Sequence, residues 1–192
     1  MAEAIDHLKR IINPDVNIRV TVNNTNADVV IEESDIQAEL KKVTIKGFTA
    51  NQTVAFKLDV QGKRISEYLN PSEPNINKAC DGIIFSLLDD IPYVFICELK
   101  SSKPKASDVL LKYRNTALFI QFIFSVLKEF YEAEDSFEIK YLLFDTKRKF
   151  NKTPTKQRKI SSEKYGGNKE LEVYRIHHPD ETEFLNIRHL NL

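Results

Sequence analysis

Three charged side chains stand at the ends of two apolar runs. Asp81 opens Gly82-Ile83-Ile84-Phe85, and Glu98 and Lys100 close Tyr93-Val94-Phe95-Ile96-Cys97-Glu98-Leu99-Lys100. Apolar strands rarely carry charge, because burying an unpaired carboxylate or ammonium is costly. The polar stretch Asp89-Asp90-Ile91-Pro92 reads as the turn joining the two runs. The three groups then converge at one end of a hairpin. Lys100 is two residues beyond Glu98, so on a strand both point to the same face. Two carboxylates and an ammonium gathered there point to a metal site with an adjacent cation. Mg²⁺ suits such donors, since it takes oxygen ligands and usually only one or two carboxylates.

The elements that must position these groups follow from periodicity. Ile5, Leu8, Ile11 and Ile12 recur at helical spacing over residues 2–12, and Asn13-Pro14 ends that helix. Residues 17–22 alternate as a strand, turn at 23–26 and return over 28–32. Residues 35–42 fit a short helix or a continuing strand. Strands are expected over 43–48 and 53–60, a short helix over 63–69 and a loop over 70–75. Val109, Leu110, Tyr113, Ala117, Ile120, Phe124 and Leu127 put one broad apolar face on a helix over 107–131, the central core helix. Strands over 137–144 and 171–176 follow, with a loop over 146–169 between them. Residues 181–192 fit either a helix or a strand. The class is α/β (α+β): one domain of 192 residues, with a mixed central β-sheet flanked by helices. Within it lie a β-rich region 1–60, a core 61–145 and a tail 146–192. The Asn-rich stretch near Asn51 is a boundary between the first two.

The order of these features carries a resemblance. Asp opens an apolar strand, a short turn follows, Glu-Leu-Lys ends a second apolar strand, and a long helix comes next. Residues 63–145 thereby resemble the PD-(D/E)XK nuclease superfamily, with its restriction-endonuclease-like fold. Cys80 precedes Asp81 where the family often has proline. The resemblance implies phosphodiester hydrolysis assisted by Mg²⁺ or Mn²⁺ at the sheet edge. It implies Asp81, Glu98 and the backbone carbonyl of Leu99 as ligands. Glu67, on a helix before the Asp strand, is the further acid it implies, with Glu73 as a competitor. Lys100 orients or deprotonates the attacking water, or stabilises transition-state charge. Gln121, the only uncharged amide in an apolar stretch of the long helix, needs a partner that the site could supply. The expected activity is that of a metal-dependent endonuclease, with DNA favoured over RNA and, by analogy alone, a role in prokaryotic defence. The alternatives are an inactive, nuclease-like subunit that binds nucleic acid or scaffolds a complex, and a protein-interaction domain. A homodimer or a larger protein partner fits the small size.

Charge is balanced overall, with 28 basic and 28 acidic residues, but not evenly spread. Nine Lys or Arg and one acid fall within 146–169, so the remainder carries a net charge of −8. The cluster Lys147, Arg148, Lys149, Lys152, Lys156, Arg158, Lys159 and Lys164 is therefore the candidate phosphate-backbone contact. Lys103, Lys105, Lys112 and Arg114, just after the motif, are further candidates. Cys80 and Cys97 are two thiols, too few for a structural zinc site, and read as buried and free. His177-His178 reads as a surface pair, poor as joint ligands because strand neighbours face opposite ways. There is no Gly-rich phosphate loop, which removes the support for ATP use. No apolar run approaches the ~20 residues that span a bilayer. Residues 1–10 do not read as a signal peptide, so a cytoplasmic location is expected.

Overall fold

The central hairpin turns on two residues. Asp89 and Asp90 have φ of 51° and 66°, the positive values a primed two-residue turn demands and Asp tolerates. Strands β5 (Gly82–Leu88) and β6 (Ile91–Lys100) flank them. Pro92 consequently lies within β6 opposite Leu87 rather than in the turn. A computed structural model describes residues 2–101, 105–133, 136–146, 160–165, 171–177, 184–190 and 192.

The hairpin is the middle of a six-stranded sheet ordered β4-β5-β6-β7-β9-β8. Here β4 is Thr53–Phe56, β7 Glu138–Asp145, β8 Ile160–Tyr165 and β9 Leu171–His177. β6, β7 and β9 run parallel, while β4, β5 and β8 pair antiparallel with their neighbours. Every residue of β5 is buried, as a strand covered on both faces requires, and its sequence is correspondingly apolar apart from Ser86, whose hydroxyl pairs with that of Thr53. A second sheet of four strands, β1-β2-β3-β10, comprises β1 (Val20–Asn23), β2 (Asn26–Glu32), β3 (Lys42–Thr49) and β10 (Phe184–Asn186). The helices are α1 (Ala2–Ile11) and α2 (Ala106–Tyr131). The fold is α+β, with mixed strand orientations and two α-helices among the described residues.

Strand alternation sends the large sheet's side chains into two cores. Ile83, Phe85, Val94, Ile96 and Leu143 pack with Val109, Tyr113 and Ile120 of α2 and with Ile5 and Leu8 of α1. Ile84, Phe95, Cys97, Leu99 and Phe144 pack with Val29, Ile31, Val43 and Ile45 of the small sheet. The layers are thus helices, large sheet, small sheet. Glu98 and Lys100 share the helix-side face with Ile96, and Cys97 points the other way. Both cysteines are free and buried.

Several sequence expectations change. Residues 63–69 form turns and bends, and 35–42 form no regular element until β3 begins. The expected loop over 146–169 contains β8, and the end of the chain holds β10 and a 3-10 turn at Ile187–His189. Asn51 lies between β3 of the small sheet and β4 of the large one, and β10 then returns to pair with β3. No helix among the described residues is long and apolar enough to cross a membrane.

Candidate active site

α2 holds the segment that delivers Asp81. Asn115 Nδ2 donates to the carbonyls of Asn75 and Lys78 at 2.8 and 2.9 Å, and the Cys80 N–H donates to Thr116 Oγ1 at 3.1 Å. Gly82 is needed next to it. A Cβ there would stand 2.8 Å from Ile31 Cδ1, so a larger residue would force the buried Ile31 side chain to shift.

Asp81 Oδ2 accepts the Leu99 N–H at 2.6 Å. β5 pairing begins with Gly82 opposite Cys97, so Leu99 lies beyond its end and the Asp81 carboxylate substitutes for the missing strand. In a strand a residue's N–H and C=O point to the same side. The Leu99 carbonyl therefore faces Asp81 too, where the implied ligand set needs it.

Glu98 is fully buried on the same strand. Lys100 Nζ lies 2.6 Å and Lys112 Nζ 2.8 Å from its Oε1, and Lys112 Nζ is also 3.8 Å from Asp81 Oδ1. Both ammonium groups approach Oε1, and Oε2 receives no donor from the described residues. Burial, and then the Glu98 charge, push the Asp81 carboxyl up to about 8; Lys112 and the Leu99 N–H pull the other way, and Glu33 adds a weaker push. Burial draws the Lys112 ammonium down, but the Asp81 and Glu98 carboxylates outweigh it and the net displacement is upward. The centre is thus two carboxylates with one ammonium between them and a second beside Glu98.

Asp81, Glu98, Leu99 and Lys100 come together as expected. Lys112, expected among the contacts to the phosphate backbone, also joins them. It neighbours Tyr113 on the buried side of α2, so its stem runs along the core and its tip enters the centre. Gln121 is nine residues further on, about 180° round the helix and ~14 Å along it, and is exposed. It is not part of the centre. Glu67 also fails to reach it, being exposed and paired with Arg64 at 3.2 Å; the helix that was to carry it does not form. Glu73 is exposed as well. Lys105, at the N-cap of α2, and Arg114 are exposed. Lys103, Lys147, Arg148, Lys149, Lys152, Lys156, Arg158 and Lys159 lie outside the described residues. Lys164 is exposed on β8.

A second charged cluster adjoins the first. Register places Lys100 beside Asp145 and Asp145 beside His177, all on the helix-side face. Buried Asp145 Oδ2 takes Arg175 Nε at 2.5 Å, and His177 Nδ1 lies 3.5 Å from its Oδ1. Arg175 also reaches Glu163 at 3.1 Å, and the Tyr165 hydroxyl donates to Glu163 at 3.2 Å. His177 is therefore mostly covered rather than on the surface. The signal was available: Asp145 ends the apolar run Tyr141-Leu142-Leu143-Phe144, the same pattern that marks Asp81 and Glu98.

The two clusters lie at the C-terminal ends of the parallel strands, where open α/β sheets bind ligands. A cavity of about 560 Å³, lined by Arg19, Thr21, Glu32, Lys42 and Lys57 among others, includes no residue of either cluster. Among the described residues no three His, Cys, Asp or Glu approach closely enough to cage a metal. Two carboxylates and a carbonyl, with water and phosphate completing the shell, still fit a Mg²⁺-type ion. Set beside family models, curated proteins and solved structures, the chain matches none of them.

Proposed function

We propose that this chain is a metal-dependent phosphodiesterase acting on nucleic acid, with DNA as the favoured substrate. The observation that carries the reading is Glu98: a fully buried carboxylate whose Oε2 has no donor among the described residues, next to Asp81 and the Leu99 carbonyl. A buried acceptor left without a partner is costly, and a divalent cation would remove that cost. Asp81, Glu98 and Leu99 would hold the ion, which when bound acidifies water and neutralises charge developing on phosphorus. Lys100 stays paired with Glu98 and presents its ammonium to the phosphate oxygens. Lys112, inserted between the carboxylates, moves toward the phosphate when they take another cation.

The residues that flank the basic stretch support a nucleic-acid substrate. Thr146 after β7 and Ile160 at the start of β8 both lie at the sheet edge that holds the centre. Thr146 Oγ1 donates to the Ser101 carbonyl at 2.8 Å, which ties that edge to the end of β6.

Lys112 also favours a second reading, a nuclease-like binding subunit. Two ammonium groups already stand against Glu98, so the centre is held together without a metal. Cleavage of DNA and RNA with Mg²⁺ or Mn²⁺, compared among wild type, Glu98→Ala and Lys100→Ala, separates the two. Metal-dependent cutting that falls roughly 10²–10³-fold in both variants supports the enzyme. Salt-dependent binding without cutting, unchanged in both variants, supports the binding subunit and overturns the enzyme.

A further inference from the structure

The Asp145 cluster is more than a structural ion network. Asp145 is buried, and the Arg175 guanidinium already matches its charge through Nε. His177 is not needed for that balance, yet its Nδ1 is turned to the second carboxylate oxygen. A ring held at Nδ1 by a carboxylate directs Nε2 away from it in a defined orientation, the arrangement that fits imidazole for proton transfer or ligation. Ligation is disfavoured, since no third donor of the right type stands close among the described residues. The 3.5 Å contact is long, as catalytic hydrogen bonds often are before substrate is bound.

Placement supplies the rest. Lys100, Asp145 and His177 stand in register at the ends of β6, β7 and β9 and face the same way. Strands lie ~4.8 Å apart, so the Lys100 and His177 Cα atoms are separated by about 10 Å with Asp145 between them. A phosphodiester seated at Glu98 and Lys100, with its chain crossing the strand ends, lays one ester oxygen toward β9. In-line displacement requires the departing oxygen to lie across phosphorus from the attacking water.

We propose that His177, oriented by Asp145, is a further catalytic residue at this sheet edge and protonates the oxygen that leaves phosphorus. The inference rests on the phosphodiesterase reading. The attacking water releases one proton to solvent, and its oxygen forms the new bond to phosphorus. The old ester bond breaks with its electron pair on the departing oxygen, and the His177 imidazolium gives that oxygen its Nε2 proton. Neutral His177 then takes a proton from solvent, and the sum is hydrolysis. Asp145 is a positioning residue in this scheme. Among the described residues the charged groups around the ring are Asp145 and Arg175, with Glu163 behind Arg175 and Lys100 on the far side of Asp145.

The test compares two substrates: DNA, whose alkoxide must be protonated to leave, and bis(4-nitrophenyl) phosphate, whose nitrophenolate leaves without a proton. His177→Gln is expected to lose about 10²–10³-fold in kcat on DNA and less than about fivefold on the nitrophenyl ester. Asp145→Asn is expected to show the same selectivity at smaller size. Both substrates are read on one preparation, so partial unfolding cannot mimic a changed ratio. Equal losses on the two substrates, or none on DNA, overturn the proposal while the nuclease reading stands. A wild-type protein that hydrolyses neither overturns both.

Discussion

Two charged clusters lie side by side on one sheet edge, and their carboxylates are treated in opposite ways. In the Asp145 cluster each acidic oxygen has a neighbour: Arg175 and His177 on Asp145, Arg175 and Tyr165 on Glu163. In the Asp81 cluster both ammonium groups crowd one oxygen of Glu98 and leave the other bare. A satisfied network holds a shape, whereas a buried acceptor without a donor is a place where something else belongs. Under the proposed function, the first cluster looks after geometry and the second after a ligand. Register couples them, since Asp145 stands next to Lys100.

The sharpest way to break this contrast is to delete one acid from each cluster. Asp145→Ala leaves Arg175 and Glu163 without their anchor and is expected to cost about 3–5 kcal/mol in urea unfolding, with the heat of Mg²⁺ binding preserved. Glu98→Ala is expected to cost less, about 1–3 kcal/mol, because it also removes a buried oxygen that has no donor among the described residues. It should abolish the Mg²⁺ binding heat. Equal stability losses, or metal heat that survives Glu98→Ala, would remove the distinction.

The legibility of these regions in the sequence follows the same line. Glu98 and Lys100 were readable because a charge on an otherwise apolar strand stands out, and the two-residue spacing fixes a shared face. The strands of the hairpin and α2 were readable for the same reason, each having long runs of one period. Lys112 was not. On the helix it sits where many solvated lysines sit, and only the packing of Tyr113 and Val109 turns it inward. Glu67 was misplaced because a weakly patterned segment, 63–69, has no apolar face to dock and stays in turns. β8 was hidden because its residues Ser161, Ser162 and Glu163 bury little and owe their strand to the pairing with β9. The sheet exchange by β4 and β10 lies beyond any local pattern, being decided by contacts distant in sequence.

Lys112 sharpens the contrast from within. Lys112→Met keeps the apolar stem and removes the cation between Asp81 and Glu98. The metal-free variant is expected to lose about 1–2 kcal/mol, and its Mg²⁺ affinity to rise about tenfold, a gain of 1.4 kcal/mol in binding. An affinity that falls instead would make Lys112 a partner of the bound ion rather than its substitute. The pH dependence runs alongside. Burial and Glu98 hold the Asp81 carboxyl up at about 8 in the folded protein, against an ordinary 3.8. The folded state then keeps a proton that the unfolded state releases. Its contribution to stability is complete below about pH 4 and disappears as pH rises to about 8. Urea midpoints of the metal-free protein should decline across that window, and Asp81→Asn should flatten the decline.

The smallest effect tests whether the second cluster is as closed as its contacts imply. Burial first, and then the charge of Glu163 and the hydrogen bond to it, hold the Tyr165 phenol up at about 12, with Arg175 pulling back. Glu163→Gln removes the like charge and leaves the burial. Tyr165 is therefore expected to ionise at a lower pH in the variant, short of the ordinary value of 10, when its ultraviolet absorbance is titrated against Tyr165→Phe as the blank. The variant should lose no more than about 1 kcal/mol of stability, and its Mg²⁺ binding heat should not change. A Tyr165 that titrates as an ordinary phenol in wild type would mean that water enters the cluster. The Asp145 carboxylate would then hold His177 in a wet and loosely defined orientation, and the contrast between a closed network and an open centre would fail at its closed end.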